Sequence, residues 1–306
     1  HLRFITPSVP FAERRIIEMS VTYNGLHVDE RYSAILEPNL YFNPILVPGV
    51  TCTDKYETGP AGQIFVHQLN TSAVEAGTPG RDFTDEVAAD TLIPIQINNN
   101  FQKSKKIYGV QAAAVSFAAG NEYLATAIQE CREGWMQCGI ACLAQEGKAA
   151  TATVAITEDT VKSDLIDTRT EIVKDKGRAN VVMCTPEYYG LVLKAAGKDF
   201  TPSTNDRIAA TGNVGQWLGF TFVEANGATG SIKYYDHTGA QKTVDMSKVQ
   251  YVMYYHETLS VVSNFEVARI IDSERFAGSL AQVEMNTGYR VTNSKLARVR
   301  KVAGAG

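Results

Sequence analysis

Residues 121–147 read NEYLATAIQECREGWMQCGIACLAQEG. Leu124, Ile128, Cys131, Trp135, Cys138 and Cys142 step by 4, 3, 4, 3 and 4, which lays one apolar stripe along a helix. Asn121 suits the N-cap, Glu122 the first turn and Gly147 the stop, so the spacing predicts a helix over 122–146. At ~1.5 Å per residue such a helix runs about 37 Å. That is long enough to serve as the backbone of a flat domain.

The stretch before this helix is of another kind. Pro38, Pro44, Pro48, Gly49, Gly59 and Pro60 punctuate residues 19–60, which excludes a long helix or a central strand there. Short apolar pieces, Leu40-Tyr41-Phe42 and Ile45-Leu46-Val47, lie between them, and the segment reads as an extended arm that needs another surface. QIFVHQLN (63–70) then alternates, with Ile64 and Val66 on one side and Phe65 and His67 on the other. LIPIQIN (92–98) alternates through Ile93, Ile95 and Ile97. The pair predicts a long hairpin with a polar tip at AGTPGRDFTDE (76–86). Glu75, Asp82, Asp85, Glu86 and Asp90 face Arg81 alone, so the tip is either a solvated turn or an arm that docks on a basic neighbour.

After the long helix, TATVAI (151–156) reads as a strand, and TEDTVKSDLIDTRTEIVKDKG (157–177) as an amphipathic helix capped by Thr157. ANVVMCTPEYYGLVLKAAG (179–197) is a strand, then a helix with Thr185 as N-cap, Pro186 at its first position and Gly197 at its end. NVGQWLGFTFVEANG and GSIKYYDHTGAQKTV read as strands, the second with a turn at Asp236–Gly239. VQYVMYYHETLSVVS and FEVARIIDSERFAGSLAQVEMNTGYRV add more. The class is α+β with two lobes.

The chain has 306 residues, 29 Lys and Arg against 33 Asp and Glu, and a formal net charge of −4, which argues against a dedicated nucleic-acid reader. No apolar run reaches the ~18 residues of a membrane span. Met19 opens MSVTYNGLHVDERYSAILEPNLYF, which reads as a natural start, so residues 1–18 are expected to be translated leader, with proteolytic trimming as the rival explanation.

Chemistry motifs are lacking. GxGxxG, GxxxxGK[ST] and GxSxG do not occur, His256-Glu257 has Ser260 where a zinc protease needs its second His, and the five histidines are scattered. No catalytic, cofactor-binding or metal residue is assigned. Cys131, Cys138 and Cys142 share a helix face with no His near, which favours core packing over a metal site. Asp159, Asp164 and Asp167 read as a solvated helix face. Tyr234, Tyr235, Tyr251, Tyr254 and Tyr255 read as strand and interface residues rather than a platform for bases. After Glu284 come Arg290, Lys295, Arg298, Arg300 and Lys301 with no acid, which reads as a solvated basic tail or as charge that screens packed phosphates.

The order and spelling of these segments resemble the major capsid proteins of tailed bacteriophages, those with the Hong Kong 97 fold, from about Met19 to Lys301. SAILEPNLYFNPILVPGV (33–50) is similar to the family's N-arm, and residues 61–103 to its extended loop over an adjacent subunit. NNNFQKSKKIYGVQAAAVSF (98–117) leads into the counterpart of the spine helix; 179–197 with 213–227 is similar to the axial domain, and 249–291 to the peripheral domain's return strands. The resemblance implies five segments. These are the leader and N-arm at 1–60, the extended β-hairpin loop at 61–103, and a peripheral domain at 104–154 that includes the spine helix 122–146. An axial domain at 155–250 and return strands with a C-terminal tail at 251–306 complete the chain.

It further implies a structural protein without a cofactor, assembling as hexamers and pentamers into an icosahedral head around double-stranded DNA. Scaffolding, portal and possible decoration proteins would be its partners, with no membrane, in a virion built in the bacterial host cytoplasm. Arg81, Asp82, Asp85, Glu86, Leu40, Tyr41 and Phe42 are the expected inter-subunit contacts, and deleting residues 62–96 is expected to leave soluble subunits without shells. The sequence departs from the family twice. Residues 61–102 hold no Lys, so a loop-borne isopeptide cross-link is unavailable. No long charged helical leader precedes the arm, which implies a separate scaffold or a removed leader. An encapsulin-type compartment and a soluble α+β enzyme whose site assembles only in space are the alternatives.

Overall fold

A computed structural model describes residues 19–23, 26–30, 45–56, 62–70, 87–110, 119–151, 155–197, 201–202, 214–225 and 228–302. The chain divides into two compact units, one of residues 1–41, 104–128 and 268–282, the other of 42–103, 129–267 and 283–306.

The second unit is built on a seven-stranded sheet. Its strands, named in chain order, are β6 (Lys148–Ala149), β7 (Val181–Cys184), β8 (Thr201–Pro202), β9 (Val214–Trp217), β10 (Phe220–Glu224), β13 (Val249–Tyr254) and β16 (Ala297–Lys301). They lie in the order β6-β16-β13-β7-β10-β9-β8. β7 runs parallel to β10 and antiparallel to β13, and β13 is antiparallel to β16. Alternation sorts the strand residues between two cores. Val181, Met183, Val252, Tyr254, Ala297 and Val299 face one core, shared with the end of the long helix α1 (Ala119–Glu146). Val182, Cys184, Tyr251 and Met253 face another, closed by α2 (Val161–Lys174) and α3 (Pro186–Ala196).

The long helix is present, with two corrections. It begins at Ala119, so Asn121 is helical and not a cap. Its burial is not one stripe: residues 138–144 are buried all round, whereas Leu124, Ile128 and Trp135 are only partly covered. The reason is that the C-terminal turns have a second wall. Ile45, Leu46 and Val47 of the arm join the same core, and Leu46 lies so close to Gly139 that a Cβ there would stand 2.5 Å from its Cδ1. Thr51 fixes that arm, its hydroxyl donating to the Ile45 carbonyl at 2.7 Å and accepting from the Val47 amide at 2.7 Å.

The helix α2 starts later than expected. Thr160 occupies the cap position, while Thr157 closes the turn before it, accepting at its carbonyl from Thr160 and Val161. The strand expected at TATVAI lies partly outside the described residues, and Ala155 and Ile156 are not in a strand. Thr185, Pro186 and Gly197 bound α3 as the sequence predicts.

β3 (Gln63–Leu69) and β4 (Asp90–Gln96) form the expected hairpin, with Gln63 opposite Gln96 and Leu69 opposite Asp90. Its inward face, Val66, Ile93 and Ile95 with Ile97 just beyond, packs on Val262 of β14 (Leu259–Asp272). β5 (Asn99–Tyr108) and β15 (Gly278–Val291) form a three-stranded sheet with β14, in the order β14-β15-β5. Asn100 and Gln102 both donate to Glu284 across that ladder, at 2.9 and 3.0 Å. Gly288 sits where a Cβ would collide with the Gln96 carbonyl oxygen. Gly288→Ala is therefore expected to cost about 1–3 kcal/mol through forced backbone shifts; a melting temperature equal to wild type would remove that reading.

In the first unit β1 (Met19–Tyr23) pairs with β2 (Leu26–Glu30) in a five-residue hairpin register. Ile107 and Ala281 form a small core there with Tyr123 and Leu124, and Tyr108 tilts against Phe276 at 5.0 Å. The remaining hairpin, β11 (Ser231–Tyr235) with β12 (Gln241–Asp245), belongs to the second unit. Its turn is held by Asp236, whose carboxylate accepts from the Thr238 hydroxyl at 2.6 Å and from the Thr238 and Ala240 amides.

Candidate assembly surface

The β3–β4 hairpin has two apolar faces. One is the inward face already described. Alternation puts Phe65 and Leu69 of β3 on the other, opposite Pro94 and Asp90, with Leu92 paired to His67 between them. Phe65, Leu69 and Leu92 are 56%, 77% and 51% exposed, and His67 pairs with Asp90 beside them. Past the Val66–Ile93 pair both faces are open, since Gln68 and Thr91 are exposed as well. Large apolar groups held on a two-stranded ribbon in water mark an interaction surface. Among the described residues this ribbon is a two-stranded sheet with both edges unpaired, so backbone donors and acceptors accompany the apolar face.

The residues expected to make inter-subunit contacts, Arg81, Asp82, Asp85, Glu86, Leu40, Tyr41 and Phe42, lie outside the described residues. Phe65, Leu69 and Leu92 were legible as the outer half of an alternating pair, but alternation alone also fits a face covered by the chain's own core.

The titratable groups sort into core and surface. All five cysteines are buried and unpaired. Burial pushes the Cys52 and Cys138 thiols up to about 12, and raises Cys142 and Cys184 well above the ordinary value. A thiol with a raised pKa holds its proton at pH 8 and is a poor nucleophile. The native protein is thus expected to leave these four thiols unlabelled by a maleimide at pH 8, while the unfolded chain exposes all five; rapid native labelling of Cys142 would contradict its burial. A cavity of about 340 Å³ in the second unit is lined by Pro48, Cys52, Trp135, Val261 and Met285, with Arg132 3.9 Å from Glu266 at its charged side. Among the described residues no cluster of His, Cys, Asp and Glu is arranged to hold a metal ion, and no helix is long and apolar enough to cross a membrane.

Two expectations about charge are overturned. Asp164 is not on a solvated face: it is 8% exposed and accepts from Arg300 Nε at 3.0 Å and from the Tyr251 hydroxyl at 2.6 Å. Thr168 meets the same hydroxyl at 2.8 Å. Arg298 and Arg300 are not in a solvated tail either. They are 1% and 2% exposed on β16, turned to the α2 side, where Arg298 pairs with Glu171 at 3.5 Å and with Asp175. Asp164, Thr168, Glu171 and Asp175 follow one another at helical spacing, so α2 presents a polar seam to the two arginines. Burial first, then the Asp164 charge, holds the Tyr251 hydroxyl protonated far above its usual range. The remaining tyrosines expected at interfaces divide: Tyr234, Tyr251 and Tyr254 are core residues, and only Tyr235 is substantially open.

No protein-family model and no curated protein sequence matches the chain. Solved structures do. One from Mycobacterium phage Che8 superposes with a TM-score of 0.66 at 15% identity, over 91% of this chain and 98% of that one. The capsid of cyanophage P-SCSP1u gives 0.66 at 14% identity, over 98% and 99%. This chain has a phage-capsid fold. A chain of the bacteriophage PhiM1 mature capsid agrees, with a TM-score of 0.62 at 15% identity over 92% and 93%. The architecture is α+β of the Hong Kong 97 type, and the described residues give, in chain order, a hairpin, a long helix and a sheet flanked by helices.

Proposed function

We propose that this chain is the major capsid protein of a bacteriophage, assembling as hexamers and pentamers into an icosahedral head that encloses double-stranded DNA. The observation that carries the reading is agreement with phage-capsid chains over more than nine-tenths of this chain, joined to a hairpin whose outer face is apolar and open. A face of this kind gains burial when it lies on a neighbour, and interfaces of permanent assemblies commonly exceed about 2,000 Å². Many such contacts around a ring or shell add stability through multivalency.

The chain's role in this reading is structural rather than catalytic. The buried thiols and tyrosines are packing groups. Scaffolding, portal and possible decoration proteins are the proposed partners, the virion capsid is the proposed location, and assembly takes place in the host cytoplasm. Leu40, Tyr41 and Phe42 of the arm, and Arg81, Asp82, Asp85 and Glu86 of the hairpin, are proposed to contact neighbouring copies. The five segments set out from the resemblance, from the N-arm at 1–60 to the return strands at 251–306, are the proposed domain plan.

Negative-stain electron microscopy of the purified protein, with and without co-expressed scaffold genes, tests the reading. Closed shells or rings of five and six are expected. Uniform small particles under every condition would overturn it.

A further inference from the structure

One end of the second unit carries a concentration of positive charge out of keeping with a chain of net charge −4. At the C-terminus of α2, Lys174, Lys176 and Arg178 are all exposed, spaced around Asp175. The loop that bears them is packed on the turn before β16. A Cβ on Gly177 would stand 2.6 Å from Leu296, and the Leu296 carbonyl accepts from the Tyr255 amide at 3.3 Å. The Arg178 guanidinium lies 4.0 Å over the Tyr255 ring. Exposed Lys295 is thereby brought beside the same loop, and Lys148 reaches it from β6, 3.0 Å from Asp175.

Among the described residues three carboxylates face this group, and all are already engaged. Glu257, which feels the Arg178 charge, pairs with Lys55 at 3.2 Å. Asp175 takes Lys148 and Arg298, which hold its carboxyl below the usual range, and Glu171 takes Arg298 and the Thr151 amide. Among the described residues Lys174, Lys176 and Lys295 have no carboxylate within 4 Å. Exposed like charges gathered on one surface repel one another, and a polyanion that covers them gains by releasing its own counterions.

We infer that this surface (Lys148, Lys174, Lys176, Arg178 and Lys295) contacts the phosphate backbone of double-stranded DNA without reading its sequence. The inference rests on the capsid reading for the source of the DNA, and it makes this end of the unit inward-facing in a shell. Lysine is suited to such a role: a point charge on a flexible stem follows a phosphate whatever its register.

The test is binding of a 30-bp duplex, at several salt concentrations, to the purified full chain and to two triple variants. One replaces Lys174, Lys176 and Lys295 by Gln; the control replaces Lys162, Lys194 and Lys233, which are exposed elsewhere. The patch variant should bind on the order of tenfold more weakly at low salt, with a salt slope shallower by about 2–3, as expected for three lost phosphate contacts. Equal losses in the two variants would overturn the inference. So would tighter binding of polyglutamate than of the duplex at equal charge, which would assign the surface to an acidic protein segment. Shell formation is scored separately by microscopy. Absence of shells in wild type would defeat the capsid reading whatever the binding shows. Intact shells of the patch variant that retain as much nuclease-protected DNA as wild type would defeat the surface assignment alone.

Discussion

Replacing Asp164 by alanine is expected to destabilise the fold by about 3–5 kcal/mol, because it breaks the buried ion pair that Asp164 makes with the Arg300 guanidinium. The size follows from burial on both sides. Asp164 and Arg300 are 8% and 2% exposed, and the Tyr251 hydroxyl that donates to the same carboxylate loses its acceptor too. The Asp164→Leu, Arg300→Met double variant should recover most of that loss, since a well-packed apolar pair of similar volume often equals or exceeds a buried ion pair. Chemical denaturation of wild type, Asp164→Leu, Arg300→Met and the double variant measures the coupling between the two positions. If the double variant is as unstable as the sum of its single changes, the pair is not interacting as described. The effect is expected in the subunit itself, before any assembly.

The second large effect is on assembly and spares the subunit. Phe65→Asp with Leu92→Asp places two charges on the open face of the β3–β4 hairpin. Both residues point away from the Val66, Ile93, Ile95 and Val262 core, so the melting temperature should change little. Shells and rings, however, should be lost, because each copy would bury unpaired carboxylates against its neighbour. This test replaces deletion of residues 62–96, which would remove Val66, Ile93 and Ile95 from the subunit's own core and confound folding with assembly. Normal shells from the double aspartate variant would refute the assignment of this face.

The legible parts of the fold were those in which partners lie close in the chain. The hairpin was announced by Ile64 and Val66 against Ile93, Ile95 and Ile97, and α3 by Thr185-Pro186 at one end and Gly197 at the other. The long helix was visible from its period, but its all-round burial at 138–144 was not, because the second wall is Leu46 and its neighbours, about ninety residues earlier. The charged seam was misread for the same reason at greater range. Arg300 and Asp164 are 136 residues apart, and Ala297-Arg298-Val299-Arg300 spells a strand whose polar side would ordinarily face water. The spacing of Asp164, Thr168, Glu171 and Asp175 on the flank of Leu165 and Ile172 was the available signal that the helix had a polar partner. Of the assembly surface, the apolar outer face was readable as alternation; its exposure depends on which of two apolar faces the core covers.

The position of β16 sets a constraint on when the seven-stranded sheet can be finished. It lies between β6 and β13, and its pairing with β6 joins residues about 150 apart in sequence. Such closures are slow, because the intervening chain must be ordered before the contact rewards it. On a ribosome, β7, β10 and β13 can associate early, while the free edge of β13 and the carboxylates of α2 wait for a strand that is made after all of them. Until then Asp164 has no arginine, and the sheet has an edge open to the wrong partner. A nascent chain held before Ala297 should therefore be protease-sensitive and prone to aggregate, and release of five more residues should convert it to the resistant form.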